Sequence, residues 1–114
     1  MNRVLITNLA KSDILNIKEY IEIKNPEAAQ RFINSLIRIF EMLSEYPNAG
    51  VKKAGIKNPN VQVYTIKKKY NIVYKQKNNN IEILRVLNKY QNLFALLWTI
   101  ALRLEPSPVI LQNL

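Results

Sequence analysis

The chain has no cysteine and no histidine among its 114 residues. Without cysteine there is no disulfide, no thiolate nucleophile and no sulfur ligand for zinc or an iron–sulfur cluster. Without histidine, the side chain that ordinarily titrates near neutral pH is missing, so proton transfer would fall to Lys, Tyr, Asp or Glu. No metal and no cofactor are expected. With only two glycines, a glycine-rich phosphate loop or dinucleotide fingerprint is excluded. The longest apolar run, Leu93 to Leu104, is interrupted by Thr99 and Arg103. It falls short of the roughly 20 residues a membrane-spanning helix needs. Residues 1–12 read as a strand-like run and a polar break rather than a secretory signal. A cytoplasmic protein with no membrane partner is therefore expected, and the lack of disulfides agrees with a reducing compartment.

Acidic residues are missing from one stretch. Residues 1–49 and 91–114 each balance their charges, whereas residues 50–90 hold ten Lys/Arg against the single acid Glu82. The whole formal charge of +9 sits there. Such a block attracts a polyanion or an acidic partner. The bland alternative is a lysine-rich surface that keeps the protein soluble.

What is present fits one domain, with 48% hydrophobic residues to build a core. Arg3 to Thr7 reads as a strand. Ser12 and Asp13 suit a helix start, and Ala10, Ile14, Ile17 and Ile21 follow at helical spacing towards Lys24. Asn25-Pro26 restarts a helix whose Ala29, Phe32, Ile33, Leu36, Phe40 and Leu43 form one stripe ending before Pro47. Val61–Ile66, Tyr70–Lys75 and Ile81–Leu87 read as strands, joined through Lys67-Lys68-Lys69 and Asn78-Asn79-Asn80. Alternation places Ile81, Ile83, Arg85 and Leu87 on one face of the last strand, with Glu82, Leu84, Val86 and Asn88 on the other. Val51 to Lys57 is a further edge-strand candidate. The fold class is α+β: an N-terminal strand and an antiparallel helical hairpin packed on a three- to four-stranded antiparallel sheet. Residues 1–92 form the domain. Residues 93–114 form an extension whose segment 93–102 would be an apolar helical tail. That tail suggests a core cap, a cover for a partner's groove, or a homodimer contact.

The order of these pieces resembles the RelE/ParE superfamily of type II toxin–antitoxin toxins, closest to its ParE-like branch. The likeness rests on Ala10 to Ile17 with Tyr20-Ile21, on Asn25 to Ala29 with Phe32, on Leu43 to Gly50, on Tyr70 to Tyr74, and on Ile81 to Leu87. It covers about residues 3–93. The sequence departs from the family at Asn88, where many members have histidine, at Gln62, where many have arginine, and in running on past Leu93.

The resemblance implies a toxin neutralised by a cognate antitoxin. ParE-like members bind and poison DNA gyrase and need no catalytic group. RelE-like members are ribosome-dependent mRNA endoribonucleases that use Lys, Arg and Tyr on the sheet, for which the candidates are Arg85, Lys89 and Tyr90. Partner or nucleic-acid binding would draw on Lys67, Lys68, Lys69, Tyr74, Arg85 and Lys89. Arg85 serves equally well as a structural arginine, whereas Lys67–Lys69 reads first as a solvated turn and Tyr64, Tyr70 and Tyr74 read first as sheet packing. A ribonuclease would need a base and an acid beside a phosphate clamp, and Lys and Tyr titrate near pH 10, about three units too high. Binding is thus the expected mode. The other readings are a nonspecific nucleic-acid-binding domain and a decayed toxin.

Overall fold

The computed structural model describes residues 3–53, 56 and 58–88, together with the backbone of 108–110. The elements run β1 (Val4–Thr7), α1 (Asn8–Lys24), α2 (Pro26–Glu45), β2 (Val61–Ile66), β3 (Tyr70–Lys77), β4 (Asn80–Asn88) and β5 (Pro108–Ile110). Two helices lie on one face of a sheet ordered β2-β3-β4-β1-β5.

Helix α1 starts earlier than its Ser12-Asp13 signal suggests. Thr7 is the N-cap: its hydroxyl accepts from the Ala10 N–H at 3.1 Å and shares its single proton between the carbonyls of Ile83 and Leu84, 3.0 and 3.2 Å away. One buried side chain thus ends the strand, opens the helix and ties both to β4, so no linker residue is needed. Asn25 caps α2 by accepting from Ala28 N–H at 3.2 Å, with Pro26 in the first turn as expected.

The sheet is mixed. β2, β3 and β4 are antiparallel neighbours, but β1 enters beside β4 in parallel, which two intervening helices and strands make sterically simple. Of the expected Val51–Lys57 strand, the described residues show one bridge, Val51 to Val63.

Simple alternation fails in β4. Val73 faces Arg85 while Tyr74 faces Ile83, so Leu84 is an extra residue in a β-bulge. The bulge shifts the parity of everything after it. Ile81, Ile83 and Val86 all reach the core beneath the helices, with Ala10, Ile14, Phe32, Leu36, Phe40, Leu43, Ile72 and Tyr74. Leu84 and Leu87 join Val61, Val63 and Val73 in a second cluster on the far face. The apolar helical tail expected at 93–102 lies outside the described residues.

Candidate functional site

The bulge decides what Arg85 can do. It sets Arg85 beside Asp13 of α1, whose carboxylate accepts from the Arg85 Nε at 2.7 Å and Nη2 at 2.9 Å. The same carboxylate takes the Val86 N–H at 3.0 Å. Three donors converge on one acid, and the paired side chains keep only 16% and 10% of their surface exposed. This is a fork-to-fork pair in a sheltered position, where such hydrogen bonds are strong. Asp13, read from the sequence as a helix-start acid, is instead the counter-charge of Arg85.

Tyr74 is likewise committed. It is fully buried, its hydroxyl donates to Pro47 O at 2.7 Å, and it accepts from Gly50 N–H at 2.9 Å. Burial pushes its phenol above the ordinary value, against a smaller opposite pull from the Gly50 N–H. It offers no hydroxyl to a ligand, so its place among the binding candidates is corrected to a core role. Burial raises Tyr70 as well, and its ring packs against Phe32 with centroids 5.0 Å apart. Neither tyrosine is poised to exchange a proton near neutral pH.

Gln62 is a buried amide. It donates to Gly50 O at 3.1 Å and accepts from Gln76, whose Nε2 also reaches Asn48 Oδ1 at 2.9 Å. Together with Tyr74 this network pins the 47–50 loop to the sheet. Sequence inspection missed it because each amide alone looks like a surface residue.

Among the described residues the basic stretch of sequence does not form one patch. Lys67, Lys68 and Lys69 are exposed on the β2–β3 turn. Lys77 is exposed at the opposite end, beside the β3–β4 turn, and the Val51–Val63 bridge directs exposed Lys52 and Lys53 towards that end too. β3 has eight residues, so the two groups stand about 25 Å apart at roughly 3.3 Å per residue. That exceeds the reach of one phosphate and the screening length near 10 Å. Glu82, the lone acid of the segment, is buried and lies 3.9 Å from Lys75 across the β3–β4 pair.

The Lys67–Lys69 turn carries a second peculiarity. Lys67 and Lys68 have φ of 48° and 58°, a left-handed conformation costing about 1 kcal/mol or more per side-chain-bearing residue. The other hairpin turn uses Asn78 and Asn79 at the same kind of angle, which Asn tolerates. Lysines in the left-handed positions make the tip a cationic point at some cost in backbone energy.

Of the expected site residues, then, the structure leaves Lys67, Lys68 and Lys69 exposed together, withdraws Arg85 and Tyr74, and does not unite Arg85 with the lysines. Lys89 and Tyr90 lie outside the described residues. Among the described residues no helix is long and apolar enough to cross a membrane.

The model of a family described as ParE toxin of type II toxin–antitoxin system, parDE, matches residues 4–93. A solved structure described as the chromosomal ParDE TA system from P. aeruginosa superimposes with a TM-score of 0.64 at 21% identity, covering 77% of this chain and 96% of that one. At that identity the likeness is one of fold. No curated protein matches.

Proposed function

The chain belongs to the ParE toxin family of type II toxin–antitoxin systems, and from that premise we propose that it acts in the cytoplasm by binding, with DNA gyrase as target and a cognate antitoxin as neutraliser. The observation that carries the preference for binding over RNA cleavage is the Asp13–Arg85 pair. A phosphoryl-transfer site needs a cation free to meet developing charge. Arg85 is the one arginine of β4, and its guanidinium is already matched by a carboxylate in two bonds. The buried Tyr74 and the raised Tyr70 supply no acid–base partner nearby. The exposed Lys67–Lys69 tip suits an acidic protein surface, such as an extended antitoxin segment.

The test pairs two assays on the purified chain. Inhibition of supercoiling with accumulation of gyrase-cleaved DNA, relieved by the antitoxin, is expected. Codon-specific cleavage of ribosome-bound mRNA, lost in Arg85→Ala or Tyr90→Phe, would overturn the reading in favour of the ribonuclease branch.

A further inference from the structure

Folding carries Arg3 out of the charge-balanced N-terminal stretch to the end of the sheet where Lys52, Lys53 and Lys77 stand. The Arg3 carbonyl accepts from the Ile81 N–H at 2.8 Å, and the Arg3 N–H donates to Asn80 Oδ1 at 3.3 Å. Asn80 is in turn the register partner of Lys77. Val4, Tyr74 and Ile81 point into the core beneath the helices, so by alternation Arg3, Lys77 and Asn80 point to the other face. Arg3 and Lys77 flank β4 two strand spacings apart, about 10 Å. Beyond β2 the exposed Lys52 and Lys53 continue the line by a similar step. Exposed cations thus run across the strand ends over about 20 Å.

The amides among these cations are all turned one way. Asn80 spends its Oδ1 on the Arg3 N–H, Asn58 on the Asn60 N–H at 2.9 Å, and Asn48 on Gln76 Nε2 at 2.9 Å. An asparagine whose oxygen is engaged within the fold shows its NH2 group to a ligand. The acids are withdrawn: Glu82 is buried 3.9 Å from Lys75, and Glu45 ends α2 in the helix layer. Cations and amide donors together suit a ligand that brings acceptors alone. A phosphodiester chain does so, whereas an acidic peptide also brings backbone N–H groups that need acceptors of their own. A single strand would further need aromatic platforms for its bases. The line of cations contains no aromatic residue, and Tyr46 is exposed beside α2 instead.

We propose that the end of the sheet carrying Arg3, Lys52, Lys53 and Lys77 is a docking surface for the phosphate backbone of duplex DNA, bound without regard to sequence. The step of about 10 Å between cations matches about three base-pair rises of roughly 3.4 Å. A stiff duplex laid along the line therefore offers a phosphate to each cation in turn. The surface stands about 25 Å from the Lys67–Lys69 tip, so a protein partner held at the tip leaves it open. The inference holds whichever target the toxin acts on, because the contact is with DNA itself.

The experiment uses the full chain and a fluorescent duplex of two helical turns, read by anisotropy over a range of salt concentrations. Binding should fall in the nonspecific range, with a Kd of about 10⁻⁴–10⁻⁶ M at physiological salt. Each phosphate contact contributes about 0.9 to the slope of log K against log salt. Arg3→Gln/Lys53→Gln/Lys77→Gln should lower that slope by about 2.7 and weaken binding at least about tenfold, and Lys77→Gln alone should lower the slope by about 0.9. Lys67→Gln/Lys68→Gln/Lys69→Gln removes the same charge at the opposite end and should keep the slope. Equal losses in the two triple variants would overturn the proposal, because binding would then follow net charge rather than this surface. So would an unchanged slope in Lys77→Gln, or tighter binding of single-stranded RNA or polyglutamate than of the duplex.

Discussion

Replacing Asp13 with alanine should unmask the energy held in the contact between α1 and β4. The substitution removes two charge-assisted bonds to Arg85 and the acceptor for the Val86 N–H. Breaking a buried ion pair by deleting one partner costs about 3–5 kcal/mol, because the other charge stays behind in a poor solvent. Here the side chains retain 16% and 10% exposure, which favours the lower end, about 3 kcal/mol. For a chain of this length that lowers Tm by at least about 10 °C. Asp13→Asn keeps an acceptor for Val86 and should recover about 1 kcal/mol relative to alanine. Arg85→Met deletes the charge and keeps the stem's volume. The double variant Asp13→Ala/Arg85→Met should therefore be clearly more stable than Asp13→Ala alone. Urea melts of the four proteins of the cycle give the coupling energy, expected at about 1.5–3 kcal/mol. A coupling near zero, with Asp13→Ala costing under about 1 kcal/mol, would mean that the pair is a solvated surface contact. Arg85 would then be available to a phosphate, and the argument against RNA cleavage would lose its support.

Other outcomes follow from single contacts. Gly50→Ala should destabilise by about 1–3 kcal/mol in chemical denaturation, since the new methyl would sit 2.6 Å from the Tyr74 hydroxyl and 2.9 Å from the Val63 carbonyl. Thr7→Val keeps shape but loses the cap, and should lower stability by about 1–2 kcal/mol. Lys67→Asn with Lys68→Gly should stabilise the hairpin by about 1–2 kcal/mol by relieving the left-handed lysines. It should also weaken antitoxin binding and flatten its salt dependence; unchanged affinity across salt concentrations would show the tip to be uninvolved. Tyr70 and Tyr74 have raised pKa values, so the folded state holds their protons longer than the unfolded chain. Their contribution is complete below the ordinary phenol pKa of 10.0 and is lost as pH rises through the higher folded values. Melting temperature should fall from about pH 10 upward, less steeply in Tyr74→Phe, and a flat alkaline profile would contradict the assignment.

The helices and the β2–β3–β4 meander were legible because their signals are local. Asn25-Pro26 marks a helix start by its own chemistry, and Phe32, Leu36 and Phe40 mark a buried stripe by spacing. What escaped depends on distant residues. Thr7 could not be read as a cap while it also read as a strand end, and its carbonyl partners lie on β4. The bulge at Leu84 leaves no mark in a sequence where both faces of β4 are apolar, so Val86 and Leu87 were placed on the wrong faces. The partner of Arg85 sits 72 positions away, which is why a structural and a functional arginine could not be told apart from sequence. Tyr74 was legible as sheet packing, but not the use of its hydroxyl, which is satisfied by a loop 24 to 27 positions upstream.

The parallel seat of β1 also sets an order of assembly. Thr7 bonds to a carbonyl 76 positions later in the chain. At synthesis rates of about 5–20 residues per second, roughly 4–15 s separate the emergence of the two strands from the translation machinery. During that interval the nascent N-terminal strand has no neighbour, while α1 and α2, whose contacts are near in sequence, can already pair. The helical hairpin should therefore become resistant to protease on arrested nascent chains before residues 4–7 do. Until β4 is made there is no complete sheet, so no finished toxin exists while its message is still being read through the strands.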